Sequence, residues 1–174
     1  MQSQPFRHSH AAHCESGVMS SLLRHQGLDL SEAMVFGLSS ALIFVHMPWV
    51  KVGGVPLTAY RMLPGAIIRG LQKSLGVRMR THRYGNAAEA MRDLDRLLAE
   101  RGAVGMQTSV YWLPYFPPDM RFHFNAHNLI VYGKDGDEYL ISDPVFEHPQ
   151  RCRGEDLAKA RFVKGPFAPK GLVY

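Results

Sequence analysis

The sequence predicts an α+β domain in which helices come first and an antiparallel sheet follows. Helical spacing of apolar residues dominates roughly the first hundred positions. After it come β-branched and aromatic runs bounded by turn residues, without the strand-helix alternation that a parallel sheet needs. From Cys14 onward, Val18, Met19, Leu22 and Leu23 recur at helical spacing, and Gly27 sits where a helix-ending glycine belongs. "DLSEAMVFG" restarts a helix with Ser31 as its N-cap. "GVPLTAYRMLPGAIIRGLQKSLG" reads as a loop followed by a helix at about 65–75, and "VRMRTHRY" as a strand at 77–83. The clearest helix follows: Asn86 caps it, Ala90, Met91, Leu94, Leu97 and Leu98 line one face, and Gly102 ends it. "AVGMQTSVYWL" (103–113), "HNLIVYG" (127–133) and "EYLISDP" (138–144) read as strands, the last two joined by a glycine-bearing hairpin turn. "GEDLAKARF" is a short helix with acids in its first turn.

The chain is 174 residues long, enough for one domain with a sizeable core, and 46% apolar with 20% charged residues, an ordinary globular balance. Its net charge of +5 comes from scattered arginines, the densest stretch being "RMRTHRYG" at 78–85. That is too short a stripe for nucleic-acid binding, though a mildly basic face can receive an acidic protein. The run "AMVFGLSSALIFVHMPWV" (33–50) carries no formal charge for eighteen residues, the lower edge of spanning length. Gly37, His46 and Pro48 interrupt it, so a buried helix-to-strand segment is expected and membrane insertion is not. Two cysteines make no disulfide framework, and no apolar signal segment stands at the N-terminus, which points to the cytoplasm.

Cys14 opens the first predicted helix. Unsatisfied amides and the macrodipole there favour a thiolate, whereas a free cysteine elsewhere packs like a small apolar residue. A nucleophile needs a base, and a base needs an orienting group. His127 starts one predicted strand and Asp143 follows the next, so a hairpin brings both to the same end. His123 and His127 stand four apart, a zinc spacing on a helix, but they precede a strand and no HExxH glutamate is present, so neither a metal nor a cofactor is expected. "YWLPYFPPDMRF" concentrates aromatics before His127, and Tyr111, Trp112 and Tyr115 are candidate substrate-channel residues.

"HCES", followed by "LLRHQGLDLSEAMVFGL" and later by "HFNAHNLIVYG" and "YLISDP", resembles the N-terminal domain of the butirosin biosynthesis protein H family over roughly residues 6–165. The resemblance implies a papain-like cysteine peptidase fold, near the peptidases that process bacteriocin leaders. Cys14, His127 and Asp143 would then form a catalytic triad. Those peptidases carry an oxyanion-donating glutamine six residues before the cysteine; here that place is His8. The resemblance also implies one papain-like domain over 1–174, lacking a C-terminal domain of longer relatives. The implied activity is acyl transfer from a carrier-protein thioester to a small-molecule amine in specialised-metabolite biosynthesis, with an acyl carrier protein as partner and Arg78, Arg80 and Arg83 as a candidate docking face. A peptidase or amidase with the same triad, and a non-catalytic module keeping the fold, remain as alternatives.

Overall fold

The computed structural model describes residues 5–52 and 54–174. Helix α1 (Cys14–His25) is followed by α2 (Glu32–Leu38), a hairpin of β1 (Leu42–Val52) and β2 (Val55–Arg61), then α3 (Ala66–Leu75) and α4 (Ala87–Arg101). Strands β3 (Val104–Thr108), β4 (His127–Asp135), β5 (Glu138–Ser142) and β6 (Gln150–Arg153) form a four-stranded antiparallel sheet in sequence order, and α5 (Gly154–Arg161) follows.

Two of the caps are those the sequence indicates. The Ser31 side chain accepts from the Met34 amide and that of Asn86 from the Glu89 amide, contacts worth about 1 kcal/mol each. Strand alternation sends Leu129 and Val131 of β4 to one face of the sheet, against Leu94 and Leu97 of α4 and Leu157 of α5. Ile130 points the other way, into a second cluster with Val18 and Met19 of α1, Val35 of α2, and Ile67 and Leu71 of α3. The sheet is thus covered on both faces, with α1 lying directly over β4.

Several elements differ from the sequence reading: β2 occupies 55–61, where a loop is expected, β6 has no counterpart in it, and three further segments depart from it. The charge-free run 33–50 does pass from helix to strand, but β1 is not buried: Trp49 is 76% and Leu42 75% exposed. Among the described residues, strands β1 and β2 pair only with each other. Among the described residues no helix is long and apolar enough to cross a membrane. The segment 77–83 is extended but not a strand, because the free edge of β3 beside it is taken by residues 173–174; only His82 bridges, to Val173. Strand β3 stops at Thr108, and Val110–Trp112 forms a single 3-10 turn.

Candidate active site

Three chain segments converge at one end of the sheet. Cys14 is the first residue of α1, His127 the first of β4, and Asp143 follows the last residue of β5. The His127 ring meets the Asp143 carboxylate through Nε2 at 2.6 Å, and the Cys14 sulfur is close enough to act on the same imidazole. All three side chains are buried. What lets α1 approach the Asp143 loop is Gly17, one turn after Cys14. A Cβ there would stand 2.6 Å from the Ala11 Cβ and 2.8 Å from the Pro144 Cβ, while the Ala11 amide donates to the Pro144 carbonyl at 2.7 Å. A glycine-to-alanine change inside a helix ordinarily gains about 1 kcal/mol. Gly17→Ala is expected to do the opposite, lowering the melting temperature and cutting Cys14 reactivity, as thermal unfolding beside thiol alkylation will report.

The electrostatics separate the two cysteines. Burial pushes the Cys14 thiol up, but the His127 hydrogen bond and charge and the donors of Asn128 outweigh it, leaving the thiol below its ordinary range. Burial disfavours a charged His127, but the Asp143 charge and hydrogen bond and the Cys14 sulfur overcome that and raise it to about 10. Thiolate and imidazolium therefore stabilise each other. Cys152 lies in the apolar core, where burial raises its thiol to about 12, and it stays a packing residue. The Asp143 carboxylate is itself held: its Oδ2 also accepts from the Tyr115 hydroxyl at 2.8 Å and its Oδ1 from the Val145 amide at 3.3 Å.

The other sequence candidates take different places. His8 stands close to the Asp143 loop, but its Nε2 donates to the Phe146 carbonyl at 3.1 Å, so its Nδ1 accepts from the Ser142 hydroxyl at 2.8 Å. In this arrangement no N–H of a neutral His8 is left for an oxyanion. Tyr115 holds Asp143 rather than lining an open channel. Tyr111 and Trp112 are half-exposed beside it; Tyr111 stacks on His123 at 4.1 Å, and the Lys159 ammonium lies 5.6 Å from the Trp112 ring centroid. Among the described residues no group of three or more His, Cys, Asp or Glu side chains is placed to hold a metal ion.

Several residues the sequence reading passed over build the scaffold. His13 is the N-cap of α1, accepting from the Ser16 amide through Nδ1; burial and Arg61 lower its pKa to about 4. The Glu32 carboxylate accepts from the Ala12 and His13 amides at 2.9 and 2.8 Å and from the Ser16 hydroxyl at 2.9 Å, fixing the approach to Cys14. Glu15 is fully buried and accepts from the Gly65, Ile67 and Ile68 amides at 3.1, 3.1 and 3.4 Å, so it caps α3 from another helix. A signal for it exists: Glu15 shares helical spacing with Val18, Met19 and Leu22, a carboxylate on the stripe that faces the core.

A thiol at a helix N-terminus, an imidazole starting a facing strand and a carboxylate at the end of the next define the papain-like class of cysteine enzymes. The chain belongs to the butirosin biosynthesis protein H N-terminal family, whose sequence model matches residues 13–144. No curated protein matches it. Among solved structures it is similar to a C39-like peptidase from Bacillus anthracis, with a TM-score of 0.62 and 13% identity over 92% of this chain and 86% of that one. It is also similar to the peptidase domain of Streptococcus ComA, a bifunctional ABC transporter of a quorum-sensing pathway. There the TM-score is 0.58 and the identity 16%, over 97% of this chain and 96% of that one. The fold is that of papain-like C39 peptidase domains.

Proposed function

We propose that the protein is a cysteine-dependent acyltransferase of specialised-metabolite biosynthesis, acting in the cytoplasm, that moves an acyl group from a carrier-protein thioester to an amine. The observation that carries this reading is the Cys14, His127 and Asp143 arrangement, with the thiol lowered and the imidazole raised. The Cys14 thiolate attacks the thioester carbonyl, and the developing oxyanion meets the Cys14 backbone N–H, one of the open amides at the start of α1. His8 would join it by exchanging the Phe146 carbonyl for the oxyanion. Collapse breaks the C–S bond of the donor, and the imidazolium of His127 gives its proton to the departing carrier thiolate. The amine then attacks the acyl-enzyme, His127 takes the amine proton, and the Cys14 thiolate leaves. Asp143 keeps the ring oriented and stabilises its charged form throughout.

A thioester suits this site because donor and enzyme thiolates are comparable leaving groups, so the first transfer is nearly balanced. An acidic carrier would dock on the exposed Arg78 and Arg80, with Arg83 nearby. Arg78 and Arg80 line, with Arg101, a groove of about 560 Å³ against α1. Arg78→Glu combined with Arg80→Glu is expected to raise KM for a carrier-bound thioester roughly tenfold, leaving KM for a short free thioester unchanged.

The likeness to C39 peptidase domains favours a second reading, a peptidase or amidase with the same three residues. Incubation with carrier thioester plus a panel of amines, with products identified by mass spectrometry, separates them. Amide formation that needs the thioester supports acyl transfer. Cleavage of peptides or simple amides without a thioester, and no amide from any thioester, would replace it with the second reading.

A further inference from the structure

Asn128 follows His127 in β4, and strand alternation turns its side chain to the α1 face, where Ile130 packs against Val18 and Met19. A carboxamide buried on an otherwise apolar face needs a partner for each of its groups. Its Nδ2 donates to the Ala126 carbonyl at 3.0 Å and faces the Cys14 Sγ at 4.0 Å, while its Oδ1 accepts from the Tyr174 hydroxyl at 2.8 Å. Tyr174 is held by two backbone hydrogen bonds to Gly105, at 3.0 and 2.9 Å. Its ring lies against Gly105, where a Cβ would stand 2.4 Å from the Tyr174 Cε2. Gly105 is the vacancy in β3 that admits the ring, and the ring delivers a hydroxyl to the amide beneath the first turn of α1.

We propose that Asn128 is a direct hydrogen-bond donor to the Cys14 thiolate and that Tyr174 is its positioning residue, fixing the amide so that N–H rather than C=O faces the sulfur. The inference rests on the reading of Cys14 as nucleophile. A donor into a thiolate is charge-assisted and favours the ionised form, whereas a flipped amide would point its oxygen at the same charge. The Ala126 carbonyl, which can only accept, takes Nδ2, and a protonated Tyr174 donating to Oδ1 completes the first orientation. Burial, followed by the nearby Glu15 and Cys14 charges, keeps it protonated far above the usual tyrosine range. The pairs that build this chain lie 46 and 114 residues apart in sequence, and Asn128 of β4 is the residue they share.

The test is the pH dependence of Cys14 alkylation by iodoacetamide, with the modified cysteine assigned by peptide mapping, in the wild type, Tyr174→Phe, Asn128→Ala and Asn128→Asp. Thermal unfolding is recorded for each. Asn128→Ala is expected to move the alkylation midpoint up by about one pH unit, a tenfold loss of rate below both midpoints. Tyr174→Phe keeps the ring over Gly105, so it folds, and moves the midpoint in the same direction by less. Asn128→Asp, which sets a carboxylate beside the sulfur, moves it furthest. Midpoints unchanged in Tyr174→Phe and Asn128→Ala, with only the melting temperature lowered, would make the pair a packing feature and overturn the proposal. A wild-type midpoint in the ordinary thiol range would instead remove the nucleophile reading, and the proposal with it.

Discussion

Replacing His127 by alanine is expected to slow acyl transfer by about 10³-fold or more, in line with the cost of losing one member of a catalytic triad. It also moves the pH profile. In the intact site the thiolate persists down to the lowered Cys14 pKa, and the imidazolium persists up to about 10. Activity is therefore expected on a plateau between the two. It falls on the acid side as Cys14 takes a proton, and on the alkaline side as His127 loses the one it gives to the leaving group. Without the imidazole the acid limb climbs toward the ordinary thiol range. A His127→Ala enzyme that keeps the wild-type rate and profile would show that the thiol is activated by something else.

The largest stability effect is expected at Glu15. Its carboxylate is the shared acceptor for three amides at the start of α3, and Arg61 Nη1 reaches it at 3.5 Å. The Arg61 side chain is one-quarter exposed, so that ion pair contributes little beside the amides. Glu15→Ala leaves Ile67 and Ile68 amides buried without a partner and is expected to cost about 3–5 kcal/mol in urea unfolding, the range for breaking a buried charged contact. Glu15→Gln keeps a carbonyl oxygen and should lose less. Because Glu15 is the neighbour of Cys14, its loss also frees the first turn of α1 from α3. A Glu15→Ala protein as stable as wild type would mean that α3 starts without needing this carboxylate.

The parts of the fold legible in the sequence are those whose signal is local. Ser31 and Asn86 begin helices by their own side chains, Gly102 ends α4 with a positive φ of 73°, and "KDGDE" turns β4 into β5. The apolar run 33–50 misled because hydrophobicity reports what burial would favour, and among the described residues β1 pairs only with β2. The stretch 77–83 alternates like a strand but finds the neighbouring edge occupied. Strand β6, "QRCR", has one buried residue in four and no periodicity to read.

At the candidate site, the order of Cys14, His127 and Asp143 and the hairpin between the last two were readable. Their meeting was not, since it depends on Gly17 admitting Pro144 against α1. Glu15, Asn128 and Tyr174 escaped for the same reason: each contacts a partner 46 or more residues away. His8 stands six residues before Cys14, yet spacing along the chain does not set which way a ring nitrogen points, and Phe146 and Ser142 decide that.

The central claim is that Cys14 forms an acyl-enzyme that an amine discharges. Intact-mass analysis after incubation with a panel of acyl carrier thioesters tests it most directly. The account predicts a single acyl adduct on the wild type, mapped to Cys14, absent in Cys14→Ala and lost when an amine acceptor is added. No adduct from any donor, or the same adduct on Cys14→Ala, would contradict it.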